Sequence, residues 1–245
     1  MMKQTPLSEL SSEFLGSMFL VMAAISSMIM FTEVFESSKS IAVLANAVAV
    51  AFVLCALIEM FGSISGAHFN PVVTMVMFFE KKIGTLKAVL FMLFQFIGGI
   101  VGAMLSHLMF LDDVGSILAV SDNVRTEYMF FGEIFGTFIL VLAILLLVKT
   151  GSNKISIIVG LLVGGQLMST SSTMFANPQV TVARMFTNTA SGIRPINGLI
   201  FIVMQLIGAL LAYAVYRLVF AKIHMERRKN SALCKRMCMS QNDLP

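Results

Sequence analysis

Six long apolar runs and two short ones constrain this chain more tightly than any other feature. The long runs cover about Phe14–Phe31, Ile41–Phe61, Leu86–Leu111, Tyr128–Val148, Ile155–Thr173 and Ile196–Val219. A helix needs about 20 apolar residues to cross a hydrocarbon core roughly 30 Å thick, so each is read as a membrane span. The short runs, Pro71–Phe79 and Pro178–Phe186, reach only roughly 14 Å at 1.5 Å per residue, about half a membrane. With 58% hydrophobic and 12% charged residues, the composition is far from the roughly 45–50% apolar and ~25% charged of a soluble domain. The expected fold class is an all-α membrane protein of six transmembrane helices plus two re-entrant half-helices, in one domain spanning residues 1–245.

Each short run is headed by Asn-Pro: Asn70-Pro71-Val72 and Asn177-Pro178-Gln179. Proline suits a first helical position, where its missing N–H would have had no partner. The asparagine before it is a natural N-cap. Its carbonyl can hold a helix-end N–H, leaving two NH2 donors directed off the helix tip. A single Asn-Pro marks an ordinary turn, but two at matching places in a repeat carry more weight.

The repeat is visible residue by residue. Ser12-Glu13-Phe14-Leu15-Gly16-Ser17 matches Gly132-Glu133-Ile134-Phe135-Gly136-Thr137, and Gln95-Phe96-Ile97-Gly98 matches Gln205-Leu206-Ile207-Gly208. The halves run over about residues 9–111 and 128–220, each with three full spans and one half-helix. An odd number of spans per half makes the repeats inverted, and paired short segments in such repeats point to a midplane permeation site. The pairs Gly98-x3-Gly102, Gly160-x3-Gly164 and Gly208-x3-Ala212 are read as close helix crossings.

Topology accounts for the net charge of +4 without nucleic acid. If the spans alternate, one side holds only Lys39, Arg125, Arg184 and Arg194; the other takes the remaining basic residues, including the tail at 221–245. The positive-inside bias then places both termini in the cytoplasm, with a basic tail able to touch anionic lipid. The lead-in Met1–Glu13 has one Lys and no evident cleavage site, so the first run reads as a retained span. Cys55, Cys234 and Cys238 make no disulfide framework; the tail pair in Cys234-Lys235-Arg236-Met237-Cys238 leaves metal binding or lipidation open, but no His or further Cys stands near to complete a ligand set. No cofactor is implied, and no nucleophile–base pair or phosphate-binding loop points to an enzyme.

With the half-helices in one bundle, Asn70 and Asn177 meet in a common lumen. Irregular backbone at that depth survives where it is buried or lines water. Hydrogen-bond donors beside two helix N-termini would accept a neutral solute's oxygen and oppose cations. Over residues 9–220 the six spans, the inverted repeat, Glu13, Glu133, the Ser65-Gly66-Ala67-His68-Phe69-Asn70-Pro71 stretch and the second Asn-Pro resemble the major intrinsic protein family of aquaporins and aquaglyceroporins. That resemblance implies a homotetramer in a plasma (inner) membrane, with one pore per subunit for water and small neutral solutes.

The departures from the family bear on the solute. Val72 and Gln179 replace the family's small alanines, which puts midplane packing in question. Val180 stands where the selectivity arginine normally follows the second motif; the nearest arginine, Arg184, lies one turn further along the same helical face. By spacing from the motifs the resemblance assigns the other constriction positions to Val50, to Met174, and to Leu167 or Gly165. A filter without an aromatic or histidine suits glycerol-sized solutes. The Pro178–Arg184 pattern followed by Thr187-Asn188-Thr189 also resembles the microbial subgroup associated with arsenic resistance, which implies metalloid hydroxides or small organoarsenicals. Family resemblance makes Glu13 and Glu133 supports of the re-entrant loops; His68 is read as bracing its loop, and Glu59 as facing the inner vestibule or holding loop N–H groups.

Three alternatives stay open: a strict water channel, a proton-coupled transporter relaying through Glu13, Glu59, Glu133 and His68, and a junction protein without conduction.

Overall fold

The computed structural model describes residues 5–220. Lys3, His224, Cys234, Cys238 and the basic tail at 221–245 lie outside them. Helices α1 (Pro6–Ile29), α2 (Lys39–Phe61), α3 (Pro71–Phe79) and α4 (Thr85–Met109) form the first half, followed by the single turn α5 (Leu111–Val114). Helices α6 (Glu127–Thr150), α7 (Ile155–Ser169), α8 (Pro178–Arg184) and α9 (Pro195–Val215) form the second. Wider π-turns extend α1 over Met30–Val34 and α9 over Tyr216–Phe220. There is no strand among the described residues.

Local chemistry sets the boundaries. Thr5 and Ser8 close a reciprocal cap at the start of α1, with Pro6 in the first turn. Asn70 and Asn177 cap α3 and α8, each accepting the N–H two residues on, and Pro71 and Pro178 follow in the first turn. Gly151, at φ 65°, ends α6 in the left-handed region that glycine enters without steric cost.

Among the described residues, five helices are long and apolar enough to cross a membrane; α7 is shorter. The sequence expectation of a span reaching Thr173 is corrected by the hydroxyl-rich run Ser169–Thr173. There the Thr170 hydroxyl donates to Gln166 O at 2.8 Å and accepts the Met174 N–H at 2.9 Å, which turns the chain into the second re-entrant loop. Likewise α8 stops at Arg184, short of Phe186: the Met185 and Phe186 N–H groups take short-range carbonyls, and Arg184 O receives the Ile193 N–H.

The helices pair α1 with α4 and α6 with α9, and α2 with α7 across the two halves. Gly98 and Gly208 occupy equivalent places in the first two pairs. A Cβ at either would drive into a backbone carbonyl, that of Phe14 or that of Ile134. Close crossing through small residues needs such positions, because lipid gives helices no hydrophobic reason to associate. The central cluster, including Leu20, Val50, Val163, Leu167, Met174 and Val180, surrounds a cavity between the two halves.

Candidate permeation site

The site begins with two buried carboxylates. Glu13 on α1 accepts the N–H groups of His68 (3.0 Å) and Phe69 (2.8 Å), the Ser65 hydroxyl (2.6 Å) and the Gln95 amide (2.8 Å). Glu133 on α6 accepts the N–H groups of Phe175 (2.9 Å) and Ala176 (2.8 Å) and the Gln205 amide (2.7 Å). Each glutamine spends its second N–H on a half-helix threonine at 2.9 Å, Gln95 on Thr74 and Gln205 on Thr181. His68 adds a ring nitrogen 3.1 Å from the Thr74 hydroxyl and also lines the cavity.

These bonds hold backbone that resists its own geometry. Gly66, Ala67 and Phe69 have φ values of 92°, 51° and 47°; Thr173, Met174 and Ala176 have 56°, 31° and 45°. Both loops therefore enter the left-handed region four, three and one residues before their asparagine. Non-glycine residues persist there only when their surroundings over-determine them. The carboxylates supply that constraint.

At the tips the two loops grip each other. Asn70 Nδ2 donates to Ala176 O at 2.8 Å and Asn177 Nδ2 to Phe69 O at 2.9 Å. One N–H of each amide is thus spent across the junction, leaving one for the cavity instead of the two expected from sequence. The replacements for alanine do not disturb this. Val72 is fully buried among Val73, Val76 and Val141. Gln179 is 1% exposed and donates a third bond across the junction, to Phe69 O at 3.3 Å. Its Oε1 has no partner and lies against Gly99 of α4.

A cavity of about 260 Å³ runs past Asn70 and Asn177, with Lys82 and Ile155 at one mouth and Arg184, Met174 and Leu167 toward the other. Val50 and Val180 also line it. Gly165 does not; it lies on the exposed side of α7, which leaves Leu167 as the lining residue of the pair. Glu59 is exposed and accepts the Ser156 hydroxyl of α7 at 2.8 Å; it is not among the cavity-lining residues.

Arg184 is 4% exposed, with its guanidinium 4.2 Å from the Phe175 ring centroid. It donates one long bond, Nη2 to Ala24 O at 3.4 Å. That carbonyl also receives Asn46 Nδ2 at 2.8 Å and the Ser191 hydroxyl at 3.4 Å. A second arginine, Arg125, approaches the same ring at 5.4 Å and donates to Gly192 O at 3.1 Å. Burial pulls the Arg125 pKa below its usual value, with Glu133 acting the other way. The segment carrying Arg125 is laid over this mouth by Ala119 N–H on Phe186 O and Ser121 N–H on Met185 O. His107 joins the same parts, with its ring nitrogens 2.8 Å from Ser116 O and 2.7 Å from the Thr187 hydroxyl.

Sequence reasoning missed Arg125, Phe175, Asn46, His107 and Gly99 as parts of the site. Only the glutamines left a readable trace, as repeat markers.

Comparison with known proteins agrees with this geometry. The family model described as Major intrinsic protein matches residues 1–176. Aquaglyceroporin AqpS of Rhizobium meliloti (strain 1021) is 36% identical over 207 residues, covering 84% of this chain and 87% of that protein. Aquaporin-4 of Mus musculus is 26% identical over 234 residues, covering 92% and 71%. The X-ray structure of the aquaglyceroporin from Plasmodium falciparum superposes with a TM-score of 0.70 at 19% identity, covering 89% of this chain and 98% of that one, a likeness of fold. On the extent of the family match and the AqpS identity together, the chain belongs to the major intrinsic protein family.

Proposed function

We propose that this protein is a passive channel for water and small uncharged solutes, glycerol-like polyols foremost, with trivalent metalloid hydroxides and small organoarsenicals as further candidates. The observation that carries the reading is the one cavity that passes both asparagine tips. Its walls are mostly aliphatic, from Val50, Leu54, Leu140, Val159, Val163, Leu167 and Val180. In such a tube a solute trades bulk water for a few placed donors: Asn70 and Asn177 at the middle and Arg184 at one end. Pre-formed polar groups in an apolar passage select by size and hydrogen bonding.

The filter reading rests on Val50, Leu167, Met174, Val180 and Arg184. Val180 puts a short aliphatic side chain where the family places an arginine, and Arg184 sits a turn further on. The passage is then wider and less polar than a strict water filter. Glycerol fits it better than water alone demands. Family resemblance supports a homotetramer in the plasma (inner) membrane, and the distribution of basic residues supports cytoplasmic termini.

The proton-coupled alternative is disfavoured by the state of its carboxylates. Glu13 and Glu133 are fully buried, saturated with loop donors, and absent from the cavity wall.

The test is an osmotic jump on proteoliposomes followed by light scattering, once with an impermeant osmolyte and once with glycerol. Fast shrinkage followed by rapid glycerol re-swelling is expected. Fast shrinkage with slow re-swelling would make the protein a strict water channel and overturn the wide-filter argument. Rates equal to those of empty liposomes would overturn conduction itself and favour the junction reading.

A further inference from the structure

Two buried guanidinium groups share one aromatic ring at the Arg184 mouth, and neither has an ion-pair partner among the described residues. Arg184 uses one of its five N–H donors, in a bond of 3.4 Å; Arg125 uses one, at 3.1 Å. The Nε of each is buried without any partner. Arg184 is 4% and Arg125 9% exposed.

An arginine that deep normally meets a carboxylate, because a buried charge left unpaired is costly. The carboxylate near enough to act on both is Glu133. Its two oxygens already serve the Phe175, Ala176 and Gln205 donors, and it forms no ion pair with either arginine. The Phe175 face attracts both cations, but a ring quadrupole contributes only about 0.5–2 kcal/mol and supplies no acceptor. Arg184 meanwhile lines the cavity, so an acceptor arriving through water can reach it.

We propose that this mouth is a binding site for one small oxyanion, of the carboxylate, sulfonate or phosphonate class, seated on Arg184, with Arg125, which shares the Phe175 ring but does not line the cavity, as a second positive charge close by. Arginine suits the role because its planar fork presents parallel N–H donors to two oxygens at once. On Arg184 that fork is the Nη pair, of which one N–H holds Ala24 O at only 3.4 Å, because Nε is closed off from the cavity. An anion held there stands in the solute path, so it slows neutral flux as it binds. The proposal rests on the channel reading only for this second effect. Binding itself requires the two arginines alone.

The probe is methanesulfonate, which remains an anion at every accessible pH and so cannot cross as a neutral acid. The full-length protein purified in detergent is melted in sodium methanesulfonate and in sodium chloride at equal ionic strength. The same protein in phosphatidylcholine vesicles, with salt on both sides, is assayed for osmotic water flux. Concentrations are stepped from about 1 to 100 mM, the range in which a site of millimolar affinity fills. Methanesulfonate is expected to raise the melting temperature over chloride, and to halve water flux near its dissociation constant, where one site is half occupied.

Arg184→Gln should abolish both differences, Arg184→Lys should restore part of them, and Arg125→Gln should weaken apparent affinity several-fold. Identical melting and flux for wild-type protein in the two salts would overturn the site, and that comparison needs no variant to fold. An undiminished methanesulfonate effect in Arg184→Gln would overturn it as well. Water flux no faster than in empty vesicles would instead refute the channel reading, while the melting comparison still decides the site.

Discussion

Glu133→Gln tests whether a carboxylate holds the second re-entrant loop in its strained form. The substitution keeps size and shape but turns one oxygen into an NH2. Oε1 accepts Phe175 N–H, while Oε2 accepts Ala176 N–H and the Gln205 amide. With the new nitrogen at the first position, one backbone N–H is orphaned against another donor; at the second, two donors are. The milder orientation loses one hydrogen bond to a charged acceptor and strands a buried donor, about 2–4 kcal/mol after the smaller cost of burying a neutral group is credited. For a chain of this size that is a fall of roughly 6–12 °C in melting temperature. Water permeability should fall with it, because relaxation of the left-handed residues Thr173, Met174 and Ala176 displaces Met174 and Asn177 from the cavity wall. Glu59→Gln is the control: that carboxylate is exposed and accepts only the Ser156 hydroxyl, so its change should stay within about 0.5 kcal/mol. Melting and osmotic flux of the two variants side by side decide the matter. If Glu133→Gln matches Glu59→Gln in both, the carboxylate clamp is not what holds the loop.

Val180→Arg should add a second guanidinium to the wall that Arg184 already lines and narrow the passage. Glycerol re-swelling should slow by about tenfold, a barrier increase of ~1.4 kcal/mol, with water flux reduced much less; an equal loss of both would point to collapse of the pore rather than filtering. Gly99→Ala places a methyl against Gln179 Oε1 and should destabilise the protein by about 1–3 kcal/mol through overpacking. Gln179→Ala in the same background should recover most of that loss, and a cycle in which the two changes simply add would show that the pair is not in contact.

The Asn-Pro pairs made the core of the site readable from sequence, because capping and proline placement are local chemistry. Pro71–Phe79 came out as read, and Glu13 and Glu133 could be matched through the repeat. The end of α7 was missed because hydropathy does not register that Thr170 can use its hydroxyl against Gln166 O and Met174 N–H. The Ser156 partner of Glu59 was not readable, because spacing from Asn70 does not say which face of α2 turns toward α7. Arg125 left no trace beyond its place among the four basic residues of one side. It reaches Phe175 only because the segment before α6 folds back onto the turn after α8, and contacts of that kind follow from tertiary packing, not from periodicity.

The distribution of charge around the cavity decides between passive conduction and a proton relay. Among the described residues, its lining includes Lys82 at one mouth and Arg184 at the other, but no aspartate or glutamate. Of the carboxylates a relay would need, Glu13 and Glu133 have no exposed surface, and the exposed Glu59 is absent from the cavity lining and accepts the Ser156 hydroxyl. A proton entering from either side meets a cation first, and the one titratable base in the lining, His68, has a ring nitrogen engaged 3.1 Å from the Thr74 hydroxyl with no carboxylate beside it on the wall to pass the proton on. The middle offers asparagine N–H groups, which donate to a passing oxygen and cannot accept a proton through it. Proteoliposomes carrying a pH-sensitive dye and an imposed pH gradient should therefore lose that gradient no faster than empty ones, while conducting water many times faster. Dissipation that scales with protein content, and that Glu133→Gln abolishes, would reverse the argument: the enclosed carboxylates would then have to open to water during transport.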